Sequence, residues 1–267
     1  SLMNISLSQL ITGTLTIPEL LEQAKKTGYD EVELSLRPAE DAPLNYQTGD
    51  KQLEEYRNLA AQTGTPITSL TISSKAGNLL ADGKAQTDGV AEATHGLECA
   101  AKLGAKVCLH TLGRLSPELY YEDAYNNAIA ALKKLVPTAE KLGVAFAVEF
   151  IWNGFLFSPL EMRNFLDSVG SPLIGFYFDP GNMAVFQYPQ HWVRALGKRI
   201  LHVHLKDWKG NALNGQWTAL LEGEVNFPVV MKELRVAGYK GPLVSEVAQN
   251  LASFADTAKT MRKIAAM

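Results

Sequence analysis

Four side chains able to hold a metal or move a proton stand at the ends of apolar runs. Glu149 follows Ala-Phe-Ala-Val, Asp179 follows Gly-Phe-Tyr-Phe, and Glu246 follows Leu-Val-Ser. His204 sits in residues 200–207, Ile-Leu-His-Val-His-Leu-Lys-Asp. Strand alternation puts His202 and His204 on one face, with Lys206 following them. A buried strand with such an end needs partners, because an unpaired buried polar group costs about 1–3 kcal/mol. Three carboxylates brought together repel unless a cation lies between them. Three hard oxygens and one nitrogen suit Mn²⁺ or Mg²⁺, with Zn²⁺ or Co²⁺ tolerated. One divalent ion is therefore the expected cofactor, provided the four strand ends meet.

The elements that would bring them together recur along the chain. Strand patterns fall at 3–8, 31–35, 67–72, 106–110, 145–150, 174–178, 200–204 and 243–247. Helical spacing falls at 17–28, 50–64, 87–104, 121–143, 159–169, 190–196, 227–238 and 251–267, with Pro137 marking a kink or the start of the last turns of its helix. A glycine before the next strand recurs at Gly28, Gly104, Gly143 and Gly238. Eight strand-then-helix units in one chain predict a parallel sheet with helices outside, closed as a (β/α)8 TIM barrel in a single domain over 3–267. A doubly wound open sheet is the alternative, but the segment after the first strand, 8–16, has one glycine where a nucleotide-binding loop needs several. In such a barrel the active site lies at the C-terminal strand ends. There the strands and their following loops also place Glu33, His110, Asn182, Lys206 and Asp207.

Composition narrows the function classes. A net charge of −3 and no long basic run argue against nucleic acid. No apolar run approaches the roughly 20 residues of a membrane span. The two cysteines, Cys99 and Cys108, have no metal-motif spacing and read as buried thiols of a reducing compartment, hence a cytoplasmic protein. Ser1 and Leu2 precede Met3 and read as an expression scar.

The second half of the chain resembles the xylose isomerase-like TIM barrels, the sugar isomerases and epimerases whose superfamily also contains endonuclease IV. The resemblance rests on Val148-Glu149, on Phe178-Asp179-Pro180-Gly181-Asn182, and on His202-Val203-His204-Leu205-Lys206-Asp207. It continues through Leu221-Glu222-Gly223-Glu224-Val225-Asn226-Phe227-Pro228 and Gly238-Tyr239-x-Gly241-Pro242 into Ser245-Glu246. It implies that Glu149, Asp179, His204 and Glu246 are metal ligands, with Glu149 and Glu246 also the acid–base pair of a ketose epimerase. The implied reaction passes a proton off and onto a sugar carbon through a metal-steadied enediolate. Lys206 would hold a substrate oxygen or neutralise the enediolate, His110 would either donate a hydrogen bond to substrate or sit as a satisfied strand-end histidine, and Asn182 is a further substrate-contact candidate. Asn182 stands where many members carry His, which speaks against a multi-zinc site.

Each remaining residue has a plainer reading beside the functional one. His202 reads as an interior histidine bonded to a neighbour. Glu33 reads either as a substrate contact or as the holder of a basic group. Asp207 reads as a loop cap. Trp152, Phe155 and Phe157 follow Glu149 and read as a pocket wall or a subunit interface, Trp152 being the sugar-wall candidate. Trp208 and Trp217 bracket a polar loop, 209–216, with the same two readings. Asn226 reads as a helix cap, and His95 and His191 receive no role.

The function expected is a metal-dependent isomerase or epimerase of a small ketose or ketose phosphate. The partner is a small-molecule sugar, not nucleic acid or membrane, and a homo-oligomer is left open. An inositol-pathway-type dehydratase or lyase is the enzymatic alternative, and a non-catalytic sugar-binding barrel the other. An endonuclease IV-like role is disfavoured by the shortage of histidines and by the charge.

Overall fold

Helix-breaking glycines and strand-forming apolar runs alternate along the whole chain, and the computed structural model folds accordingly. It describes residues 2–267; Ser1, half of the expected expression scar, lies outside the described residues. Seven strands lead in chain order: β1 (Ile5–Ser8), β2 (Glu31–Leu36), β3 (Ile67–Ile72), β4 (Val107–His110), β5 (Ala145–Glu149), β6 (Ile174–Phe178) and β7 (Ile200–Leu205). β8 (Asp207–Asn211) and β9 (Asn214–Thr218) form a separate antiparallel hairpin, and β10 (Leu243–Ser245) returns to the main sheet. The main sheet is a closed parallel barrel in the order β1-β10-β7-β6-β5-β4-β3-β2. The expected (β/α)8 barrel is therefore present.

The helices α1 (Ile17–Thr27), α2 (Asp50–Thr63), α3 (Gly83–Leu103), α4 (Tyr121–Leu142), α5 (Pro159–Val169), α6 (Pro180–Ala184), α7 (Pro189–Leu196), α8 (Phe227–Val236) and α9 (Phe254–Ala265) lie between and after the strands. α1 shows why they start and stop where they do. Thr16 accepts from the Glu19 amide while Glu19 reaches back to the Thr16 amide, a capping box, and Gly28 ends the helix at φ 97°. Pro137 lies inside α4 without ending it. None of the described helices is long and apolar enough to cross a membrane. Cys99 and Cys108 are buried free thiols, as the spacing predicts.

The main core is the apolar shell between barrel and helices, with Phe146, Phe165, Phe176 and Trp192 fully buried in it. The barrel interior is different. Its inward side chains include Ser8, Glu33, Ser69, Tyr177, His202 and His204, all buried. Each unpaired polar atom in such an interior costs stability, and most of these have partners. A β-bulge where β6 meets β7 shifts the register between Phe176 and Tyr177. His202 and His204 share the interior face, against the Tyr177 ring at 5.2 and 4.4 Å. His202 Nε2 is buried with no hydrogen-bond partner, and burial pushes the imidazole down to about 4.

The polar loop expected at 209–216 is instead the β8–β9 hairpin. Trp208 and Trp217 face each other across it, ring centroids 4.8 Å apart. Asp207 anchors its base by accepting from the amides of Trp208, Leu221, Gly223 and Val225. The loop-cap reading of Asp207 is thus met, and Asn226 caps α8 through the Val229 amide.

Candidate metal centre at the barrel mouth

Each ligand candidate is aimed by its own strand end. Glu149 is the last residue of β5 and His204 the last but one of β7. Glu246 lies one residue past β10, where its amide still bonds to the Leu205 carbonyl at 3.2 Å. Asp179 follows β6 and caps α6, its Oδ1 accepting from Gly181 and Asn182 at 3.1 and 3.3 Å. Pro180 at the first helical position turns the chain without wasting an amide. Gly181 is required by crowding, because a Cβ there would lie 2.8 Å from the Lys206 Cβ.

The four candidates meet. One ligand atom from each of Glu149, Asp179, His204 and Glu246 lies within 4.8 Å of all the others. His204 Nδ1 is 2.8 Å from Glu246 Oε2, 3.3 Å from Glu149 Oε2 and 4.0 Å from Asp179 Oδ2. Asp179 Oδ2 is buried with no hydrogen-bond partner, although it is aimed into this cluster. An orphaned carboxylate oxygen, facing two more carboxylates and an imidazole nitrogen, is the donor set of a hard divalent cation. The residues present fit such an ion.

The electrostatics express the same crowding. Burial, and then the neighbouring Glu246 and Glu149 charges, push Asp179 up to about 8 even with Lys206 nearby. Burial likewise raises Glu149. Burial opposes the charged form of Glu246 too, but Lys206 and His204 outweigh it and hold that carboxylate well below the usual range. His204 is held far above its usual value, the Glu33 and Glu246 charges outweighing burial.

The remaining site candidates separate into two groups. Lys206 is at the centre: its Nζ lies 3.0 Å from Glu246 Oε1 and 3.7 Å from Asp179 Oδ2, with the Trp217 ring 4.6 Å away. Trp152 is 45% exposed and packs against Trp217, ring centroids 5.4 Å apart and tilted by 38°, so it backs the aromatic that covers Lys206. The other three turn to protein partners. Glu33 has 0% exposure and bonds His204 Nε2 at 2.7 Å, Ser8 and Ser69 at 2.8 Å each, and the Tyr177 hydroxyl. A carboxylate so saturated has no lone pair turned to a sugar. Asn182 is buried, accepting from Lys206 at 3.2 Å and donating to the Phe150 carbonyl at 2.9 Å. His110 is 2% exposed, its Nδ1 accepting from the Leu112 amide at 2.8 Å and its Nε2 lying 3.5 Å from Ser74 Oγ. Burial pulls it down to about 4, so it is neutral. Glu33 takes its reading as the holder of a basic group, His204; Asn182 holds Lys206, and His110 holds the loop at Leu112 as a satisfied strand-end histidine.

The sequence profile of the xylose isomerase-like TIM barrels matches residues 21–264. The chain belongs to that family. Among curated members it is 25% identical over 236 residues to an L-ribulose-5-phosphate 3-epimerase UlaE of Escherichia coli, covering 86% of this chain and 81% of the relative. Among solved structures it superposes on a D-tagatose 3-epimerase-like protein with a TM-score of 0.82 at 20% identity, over 98% of this chain and 97% of that one. A D-psicose 3-epimerase from Clostridium cellulolyticum, solved with D-tagatose, gives 0.80 at 16% identity over 98% and 96%. At these identities the structural likenesses establish the fold, and the family's barrel is the one described above.

Trp217 meets its pocket-wall reading and Glu33 its reading as the holder of a basic group, though which group each serves was not read from the sequence. Trp217 carried a usable signal, an aromatic paired with Trp208 across an Asn-Gly-rich stretch. Glu33 carried none, since its partner His204 lies 171 residues away.

Proposed function

We propose that the chain is a divalent-metal-dependent epimerase of a small ketose, acting at the carbon beside the carbonyl. The observation that carries this is the meeting of Glu149, Asp179, His204 Nδ1 and Glu246 within 4.8 Å, with the orphaned Asp179 oxygen among them. The relatives named as 3-epimerases of ribulose 5-phosphate support the same reading. Glu149, Asp179, His204 and Glu246 would hold the ion, which would supply Lewis-acid polarisation of a ketose's adjacent oxygens.

The two glutamates reach the site from different directions. β5 and β10 are separated in the barrel by β6 and β7. Glu149 lines one cavity at the mouth and Glu246 another. A sugar carbon placed between them meets a carboxylate on each face. One glutamate takes the proton from its face and the other returns a proton from the opposite face, which inverts the centre. Lys206, fixed against Glu246 and Asp179, balances the negative charge that proton removal leaves on the sugar. Trp217 covers Lys206 and keeps water from it, and Trp152 backs that wall. Glu33, Asn182 and His110 position the groups that act.

The test is proton exchange. Protein supplied with Mn²⁺ is incubated with ketoses in D₂O and followed by NMR. The expected result is uptake of one carbon-bound deuterium with formation of the epimer at unchanged composition. Loss of water from the sugar would replace this reading with a dehydratase, and no exchange with any ketose would overturn it.

A further inference from the structure

Two cavities open at the barrel mouth, and they differ in charge. The first, about 420 Å³, is lined by Lys206, Trp217 and Glu246 with apolar neighbours such as Ile11 and Leu251. Its one cation is already committed, paired to Glu246 and Asp179. The second, about 620 Å³, reaches from Glu149 to the loops after β3 and β4. That is within the usual range for small-ligand pockets, roughly 300–1,000 Å³. Its titratable lining is Glu149, Lys75 and Arg114 and nothing else. Neither Lys75 nor Arg114 makes an ion pair among the described residues.

The loops carrying these two cations are built, not slack. Asn78 donates to the Arg114 carbonyl at 2.9 Å. Asn153, arriving from the β5 loop, donates to the Thr111 and Gly113 carbonyls at 3.1 and 2.8 Å. His110 takes the Leu112 amide and so holds Leu112 at its φ of 74°. Gly113 is forced, since a Cβ there would come within 1.9 Å of Asn78 Oδ1. On the other loop, the amides of Lys75, Ala76 and Gly77 all donate to the Glu92 carboxylate. That ties the loop to α3 and uses up the amides. An anion entering here must be bound by side chains: the Lys75 ammonium, the Arg114 guanidinium, and the Ser73, Ser74 and Thr111 hydroxyls on the same wall.

We propose that this second cavity binds the phosphate end of a phosphorylated ketose, with Arg114 and Lys75 as its cations. The proposal rests on the epimerase reading and adds the substrate class to it. The charge pattern of the cavity matches such a molecule end to end. The carbonyl and its neighbouring hydroxyl belong at Glu149 and the ligand cluster, and a dianion belongs at the loops of β3 and β4. Arg114 offers the forked donors that suit a phosphomonoester, and Lys75 adds a point charge. The first cavity has no uncommitted cation, so the phosphate cannot be placed there without breaking the Lys206 pairs.

The experiment has a binding arm and a turnover arm. Inorganic phosphate is titrated calorimetrically into wild-type protein and into the K75M/R114M double variant. Both residues are exposed, so the double variant is expected to keep the wild-type Tm. Phosphate affinity is expected to fall at least about tenfold, the scale set by losing charge-assisted hydrogen bonds. In the turnover arm, the ratio of kcat/KM for a ketose 5-phosphate over the free ketose is measured for both proteins. The double variant is expected to lower that ratio by about 10- to 100-fold, chiefly through KM for the phosphorylated sugar. Unchanged phosphate affinity together with an unchanged ratio overturns the subsite and leaves the epimerase reading standing. No exchange on any sugar, with phosphate binding still dependent on Lys75 and Arg114, overturns the assignment to a ketose and takes the epimerase reading with it.

Discussion

His204 Nε2 and Glu33 Oε1 lie 2.7 Å apart at the bottom of the barrel mouth, both fully buried. The contact commits Nε2 and leaves Nδ1 to face Glu149, Asp179 and Glu246. It is an oriented imidazole of the kind that holds metals well, with its second nitrogen pinned by a carboxylate. Ser8, Ser69 and Tyr177 pin the carboxylate in turn.

Glu33→Gln should therefore weaken divalent-ion binding although Glu33 is no ligand. The expected loss is about 10- to 100-fold in Mn²⁺ affinity. Competitive titration against a metal indicator reads it directly, and an affinity equal to wild type would refute the orienting role.

The two glutamates should be separable by isotope. Glu149→Gln and Glu246→Gln are each expected to slow epimerisation by about 10²–10⁴-fold, the usual worth of a positioned acid or base. With substrates entered from the two epimers, one variant should retain slow deuterium wash-in from the first epimer and the other from the second. Equal wash-in in both directions for both variants would show that a single group serves both faces.

Metal should stabilise the fold. Three carboxylates held together lose their mutual repulsion when an ion lies among them. At a hundredfold excess over its Kd, Mn²⁺ should add about 2.7 kcal/mol, visible as a higher Tm. Asp179→Ala should abolish most of that increment, because Asp179 Oδ2 is aimed into the cluster with no hydrogen-bond partner of its own. A Tm indifferent to Mn²⁺ and chelator alike would count against the site.

Acid should open the seam between the first two strands. Asp30 accepts from the Ile5 amide at 2.8 Å and from Arg262 of α9 at 2.8 and 3.1 Å. Burial would raise this carboxyl, but the Arg262 and Ile5 bonds prevail and lower it. A depressed carboxyl adds stability above its unfolded value, near 3.8, and that stability is lost as pH falls below it. Asp30→Asn should thus lower the urea midpoint at pH 7, and the gap from wild type should narrow as pH falls below 3.8. A gap independent of pH would assign the effect to packing.

Much of the barrel is legible in the chain because its cues are local. The strand cores Ile67–Ile72 and Ile174–Phe178 and the helix Pro159–Val169 have the same limits in the sequence pattern and in the fold. Period-two apolar runs, proline at helix starts and glycine after helix ends are decided within a few residues. The hairpin Asp207–Asn211 with Asn214–Thr218 escaped because its strands are polar, and what pairs them is one tryptophan across from another. α6 escaped because it is five residues long.

The candidate quartet could be named from the chain because its members lie at or near the ends of apolar runs, and a closed barrel has only one place for strand ends to converge. The partners of Glu33, Asn182 and His110 could not. A buried polar side chain is defined by what lies across the barrel from it: His204 for Glu33, the Phe150 carbonyl for Asn182, the Leu112 amide and Ser74 for His110. Residue type and strand position, written in the chain itself, determined which groups reach the mouth. Only the closing of the sheet decided which of them face the cavity and which face one another, because burial and hydrogen bonding belong to pairs of residues far apart in the chain.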